Sequence, residues 1–249
     1  MARTALTVVR IGTAGWALPK ALRISQLASK PVLEQYAALF DAVEINSSFY
    51  RPHRRSTYER WGASVPASFR FSIKLPRMIT HELGLLRCEG ETAAFMESAA
   101  GLAEKLAVIL VQLPPSRTFD QPIAAAFFKL LRKQTAAQIV CEARNPTWFA
   151  HEATAVLEEL GITRVVADPV PPGCEFVASA HSRFAYVRLH GSPKMYYSSY
   201  SVDYLQGVAA DAGAAAETWY IFDNTAAGAA WSDATMLQRL ISATVAPLG

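Results

Sequence analysis

Short alternating or uniformly apolar runs recur along the chain, separated by stretches with the period of an amphipathic helix. Residues 69–74 alternate strictly, Phe69-Arg70-Phe71-Ser72-Ile73-Lys74, as a strand does when successive side chains face opposite ways. The stretch 42–50 starts in the same manner: Val43 and Ile45 share one parity, Glu44 and Asn46 the other. Residues 106–112 are apolar on both faces, as a helix-covered parallel sheet requires. Leu113-Pro114-Pro115 ends that run because proline cannot continue a central ladder. Further strands are expected at 6–13, 138–144, 162–168, 184–190 and 218–223. Helices are expected at 32–40, 57–63, 91–105, 122–133, 151–160, 204–216 and 226–245. Pro31 and Pro122 stand at helix starts, Ser56 is the expected cap of the second helix, and Gly161 closes the fifth. Residues 20–30 and 75–86 read as loops, and a Pro-rich segment with a short helix follows Pro169.

Eight strands alternating with helices predict an α/β fold, a single (β/α)8 TIM-like barrel over residues 1–249. A doubly wound sheet fits less well. The helices follow the strands in one series, and no Gly-x-Gly-x-x-Gly follows the first strand. The 51% hydrophobic content supports a sizeable core. A net charge of +3 is too mild to mark a nucleic-acid binder, so nucleic acid is a less favoured ligand. Three cysteines, Cys88, Cys141 and Cys174, follow no metal-ligand spacing and suit reduced thiols in a cytoplasmic protein. Residues 1–10 hold no apolar signal segment, and the most apolar run, 106–113, is too short to span a bilayer, so no membrane association is expected.

The expected strand ends carry Gly12 and Thr13; Glu44 and Asn46; Ser72 and Lys74; Gln112; Glu142 and Arg144; Asp168; Arg188 and His190; Asp223 and Asn224. In a (β/α)8 barrel these ends form the active site. Isolated charges there would cost several kcal/mol, so they must pair or meet a ligand. The cations nearly cancel the acids, whereas a hard-cation site wants carboxylates without interleaved cations. The pattern therefore predicts a small-molecule ligand, polar and anionic, with no metal and no cofactor. Glu44, Lys74, Glu142, Arg188 and His190 are the expected catalytic residues: carboxylates as general acid or base, Lys74 and Arg188 on the anion, His190 as proton relay. Lys74 is expected to pair with Glu44 and to act as an anion clamp, not as a Schiff-base nucleophile.

Loops extend the expected ligand-binding set. Trp16 follows two glycines after the first strand. Tyr50 and Arg51 belong to an aromatic and basic loop, Phe49-Tyr50-Arg51-Pro52-His53-Arg54-Arg55, suited to stacking and phosphate contact. His81 is a candidate acid or base, and Tyr197 lies in the Tyr-rich stretch 191–200. With Thr13, Asn46, Gln112, Arg144, Asp168, Asp223 and Asn224 these complete the set. Two other function classes remain open: a metal-dependent hydrolase or isomerase, one that could act on nucleic acid, and a non-catalytic binder using the Tyr-rich loop.

The ordered pieces Gly12-Thr13-Ala14-Gly15-Trp16, residues 43–50, Lys74 with Ile79-Thr80-His81, Gln112-Leu113-Pro114-Pro115-Ser116, Glu142 with Arg144 and Trp148-Phe149, Ala167-Asp168-Pro169, Arg188-Leu189-His190-Gly191 and Phe222-Asp223-Asn224-Thr225 carry a resemblance. Along nearly its whole length the chain resembles the domain-of-unknown-function family 72, the YecE-like proteins. The resemblance implies a TIM-like barrel and implies no particular reaction. Ala14 stands where that family often has Ser, and Asp223 where many relatives have Asn.

Overall fold

The computed structural model describes residues 7–17, 19, 27, 29–174 and 183–245. The strands are β1 (Val8–Thr13), β2 (Ala42–Ile45), β3 (Arg70–Lys74), β4 (Leu106–Gln112), β5 (Gln138–Glu142), β6 (Thr163–Arg164), β7 (Val166–Asp168), β8 (Phe184–Leu189) and β9 (Glu217–Phe222). Every strand pairing is parallel. The strands form a four-stranded sheet, β1-β9-β8-β7, and a five-stranded sheet, β2-β3-β4-β5-β6. One parallel bridge, Ala14 with Glu44, links β1 to β2. The one strand expected at 162–168 is thus two. At Val165 the backbone amide still bonds Cys141, 2.9 Å away, but the next residues turn to pair with β8. Strand pairing alone therefore gives an α/β fold of two parallel sheets, not the uninterrupted eight-stranded ladder expected.

The helices are α1 (Val32–Ala37), α2 (Arg55–Ala63), α3 (Glu89–Ala99), α4 (Gln121–Arg132), α5 (His151–Glu159), α6 (Val202–Ala210) and α7 (Ala229–Val245). In α4 local chemistry and packing agree. The Asp120 carboxylate accepts the Ile123 amide at 3.0 Å, and Ala124, Phe127, Phe128 and Leu131 make the buried face. Four expectations change. Ser56 lies inside α2, whose cap position is Arg54 with no side-chain cap. The helix expected to reach residue 105 stops at Ala99 and continues as a 3-10 turn, where Ala103 takes φ 50°. Residues 75–86, expected as loop, contain a π-helical turn, Met78–Glu82. The helix expected at 204–216 runs from Val202 to Ala210. The loop expected at 20–30 and the short helix after Pro169 lie partly outside the described residues. Among those residues no helix is long and apolar enough to cross a membrane.

Parity divides the buried residues into two layers. Ile45, Phe71, Ile73, Ile109, Val111, Ile139 and Phe222 join the helix residues Tyr36, Phe128 and Trp231 in the larger cluster. Ala42, Val108, Leu110, Val140, Tyr186, Trp219 and Ile221, from both sheets, form the smaller one. The two sheets therefore face each other across an apolar interior, in which the Tyr186 and Trp219 rings stack 5.9 Å apart. Gly12 is required at the crossing of β1 and β2, since a Cβ there would overlap the Ala42 carbonyl.

Above this interior sits Arg188, fully buried. Its Nε and Nη2 donate to the two oxygens of Glu44 at 3.0 and 2.7 Å. Nη1 donates to Glu142, and Nη2 also reaches Asp223 at 2.9 Å. One guanidinium thus ties β8 to β2, to β5 and to the residue after β9, joining the two sheets. Burial opposes its charge, but Glu142, Glu44 and Asp223 hold its pKa well above the ordinary value. Removing one partner from such a network leaves buried charges unpaired. Arg188→Leu should therefore lose on the order of 3–5 kcal/mol in urea denaturation. Glu44→Gln added to it should recover part of that loss. A single variant within about 1 kcal/mol of the parent would show that the tie does not hold the sheets together.

Candidate ligand-binding site

The strand ends converge as parity predicts. Glu142 ends β5 and sits at the centre of a charged cluster: Arg144 Nε donates to its Oε1 at 3.0 Å, and Arg188 takes Oε2. His190, one residue past β8, holds Nδ1 3.1 Å from Asp223 Oδ2. Its Nε2 lies 3.3 Å from Glu142 Oε1, within ion-pair range but off the line of a hydrogen bond. Burial opposes a charge on His190, yet Glu142 and Asp223 outweigh it and raise the imidazole pKa. Burial likewise opposes ionisation of Glu142, but Arg188, His190 and Arg144 hold its carboxyl well below the usual range. Asp223 is lowered in the same way, against burial, by Arg188 and His190. Arg144 is raised, against burial, by Glu142 and by Tyr196, whose hydroxyl accepts from Nη2 at 3.2 Å.

Lys74 departs from this pattern. Its expected partner Glu44 is taken by Arg188 and by the Tyr186 hydroxyl at 2.9 Å. Among the described residues the Lys74 ammonium has no hydrogen bond and no ion pair. It lies 4.2 Å from the centre of the Phe49 ring. The residue is 5% exposed. Burial and the nearby Arg188 lower its pKa to about 8; Glu44, Glu142 and Asp223 offset only part of that. The backbone beneath it is fixed: the Ser48 hydroxyl lies 2.8 Å from the Ile45 carbonyl and 2.7 Å from that of Lys74.

The remaining candidates fall into three groups. His81 and Gln112 lie near Lys74 and the charged cluster. Gln112 pairs in register with Glu142. His81 packs its ring 5.0 Å from Phe49, with Nδ1 2.8 Å from the Thr80 hydroxyl. Burial, Arg77, Lys74 and Arg144 lower the His81 pKa. Asn46, Tyr50 and Arg51 flank the turn after β2 that carries Phe49, and Trp16 follows β1. Tyr50 is 74% exposed and meets Phe49 edge-on, while Trp16 packs against Trp61. Thr13, Asp168, Asn224 and Tyr197 do other work. Thr13 faces the helix layer, where its amide donates to the Tyr36 hydroxyl at 2.9 Å. Asp168 accepts from Tyr200 at 2.8 Å, and Asn224 donates to the Ser198 carbonyl and to buried Asp233. These bonds hold the Tyr-rich loop down. Tyr197 stands half-exposed under the Lys194 ammonium.

Residues absent from the expected set also contribute. Tyr186 bonds both Glu44 and Ser72, and its position two residues before Arg188 places it on the inward face of β8. Tyr196 holds Arg144, and Phe49 supplies the surface shared by Lys74 and His81. No local signal singles out Tyr196 among its neighbours. Among the described residues no group of three or more His, Cys, Asp and Glu side chains is arranged to hold a metal ion. Glu142 and Asp168 already accept from Arg188, Arg144 and Tyr200.

Known proteins share this architecture. A solved structure of a DUF72 family protein from Thermotoga maritima superposes with a TM-score of 0.81 at 24% identity, covering 94% of this chain and 99% of that one. Another, from Enterococcus faecalis, gives 0.78 at 21% identity over 94% and 96%. The UPF0759 protein YecE of Escherichia coli K12 is 28% identical over 194 residues, 74% of this chain and 69% of its own length. YunF of Bacillus subtilis is 28% identical over 151 residues, 57% of this chain and 53% of its own. The family model described as "Protein of unknown function DUF72" matches residues 10–248, and the chain belongs to that family.

Proposed function

We propose that this protein binds a small anion, phosphorylated or carboxylated, at the C-terminal ends of its strands, and acts there without a metal. The observation that carries this reading is the Lys74 ammonium, which among the described residues has no carboxylate of its own, beside a cluster whose acids are already occupied. Glu44, Glu142 and Asp223 face Arg188, Arg144 and a His190 inclined to hold its proton, so Lys74 adds a cation that a ligand would balance. On this reading Arg188 is a positioning residue, since its donors are spent on protein carboxylates. Lys74 and Arg144 meet the anion, and His81, Gln112 and Tyr50 line its approach. The two sheets act as one closed (β/α)8-type barrel. The Ala14–Glu44 bridge, the single residue between β6 and β7, and the interior shared by both sheets support that. Free Cys88, Cys141 and Cys174 suit a reducing compartment such as the cytoplasm.

Thermal-shift and calorimetric titration with inorganic phosphate, citrate and 3-phosphoglycerate tests the reading. At least one should stabilise the parent, and Lys74→Met should abolish the effect. Equal binding by parent and variant would place the anion elsewhere. EDTA should leave the melting temperature unchanged. A fall restored by zinc or manganese would put the metal-dependent alternative first.

Lys74 should also mark the stability of the protein against pH. Its folded pKa of about 8 lies below the ordinary 10.5. Between those values the unfolded chain binds more protons than the folded one, so stability should rise with pH across that window. Its contribution is unfavourable at pH 7 and is relieved as pH climbs toward 10.5. Relative to Lys74→Met, the parent should gain on the order of 3 kcal/mol between the two limits. Parallel stability curves for parent and variant would show that the amine is not held against its charge.

A further inference from the structure

We propose that Lys74 is a covalent nucleophile, forming a Schiff base with a small aldehyde or ketone that carries a carboxylate or phosphate group. This deepens the anion-site reading and rests on it for the ligand's charge. It also reverses the expectation that a Glu44 partner keeps the lysine a simple clamp, because Arg188 and Tyr186 take both oxygens of that carboxylate.

Three features of the site favour this chemistry. The amine is shielded on one side by the Phe49 ring, and among the described residues it has no hydrogen bond to break before it attacks. The Ser48 hydroxyl lies within hydrogen-bond distance of the Lys74 and Ile45 carbonyls, so the side chain grows from a fixed point. His81 shares the Phe49 ring, and with Nδ1 engaged by the Thr80 hydroxyl its Nε2 is left to exchange protons. Burial and the nearby Arg188 lower the Lys74 pKa to about 8, so roughly a tenth of the amine is neutral at pH 7, and that is the form that attacks carbonyl carbon while the rest carries the charge that draws the anion in.

The step balances within these groups. The neutral amine donates its electron pair to the carbonyl carbon, and the C=O π pair moves to oxygen, which takes a proton. The nitrogen gives up a proton, with His81 as the relay. The resulting carbinolamine is protonated on its hydroxyl and expels water, leaving a C=N bond to Lys74 that carries one positive charge. Carbonyl compound, amine and one proton become iminium and water, with no oxidant or reductant. Arg144, with 21% of its side chain exposed, faces the same space and would hold the ligand's anionic group.

The test is reductive trapping on the whole protein. Glyoxylate, pyruvate and dihydroxyacetone phosphate are each incubated with it and cyanoborohydride, followed by intact mass and peptide mapping. The expected result is one adduct per chain, on Lys74, with at least one of the three. At pH 7 it should form at least about tenfold faster than adducts on exposed Lys129, Lys133 and Lys194, because far more of the Lys74 amine is neutral there. His81→Gln should slow trapping without moving it, and Lys74→Arg should bind 3-phosphoglycerate but give no adduct. Adducts spread evenly over the exposed lysines, or none on Lys74 while the parent still binds 3-phosphoglycerate, would overturn the nucleophile and leave the anion site standing. Loss of both trapping and 3-phosphoglycerate binding in the parent would overturn the two together.

Discussion

Arg188 is the constraint on which the charged end of the molecule depends. A guanidinium with no solvent contact needs carboxylates within reach, and three of them, Glu44, Glu142 and Asp223, are drawn in from separate elements. Once they are fixed, their other partners follow. Tyr186 caps Glu44 from below, Arg144 takes the outer oxygen of Glu142, and His190 bridges Glu142 and Asp223. The result is a rigid polar floor in which each carboxylate is already neutralised. Whatever such a floor recognises, it does so with the groups left over.

Lys74 is the chief group left over, and its state is set by what Arg188 does. Had Glu44 been free, the ammonium would have gained a partner and held its proton more tightly. With Glu44 committed, burial and the nearby guanidinium act together against the Lys74 proton. A structural tie between strands that are 144 positions apart in the chain thereby tunes the reactivity of a third residue.

Parity accounts for what could be read without coordinates. Glu44, Glu142, Arg188 and His190 stand at strand ends on the inward parity, and the chain brings them together as that parity requires. Tyr186 carries the same signal, two residues before Arg188. Thr13 shares the parity of Ile11 and turns to Tyr36 in the helix layer, so parity within β1 itself argues against placing it at the site. Other features had no local signature. Which cation would take Glu44 depended on reach across the interior, a property of tertiary geometry. The break at Val165 depended on two neighbouring strands pulling adjacent residues in different directions. Asp168 and Asn224 are ligand-binding candidates by their place at strand ends, and their hydrogen bonds, which anchor a loop through Tyr200 and Asp233, depend on tertiary geometry.

The stacked rings of Tyr186 and Trp219 beneath Arg188 bear on traffic. Both rings are fully buried, and Arg10 lies 5.9 Å from that of Trp219, so the interior below Arg188 is filled by packed side chains. Among the described residues this packed layer leaves the polar floor no passage through the interior. On the proposed reading, an incoming carbonyl compound and the departing product share the side on which Lys74 meets Phe49.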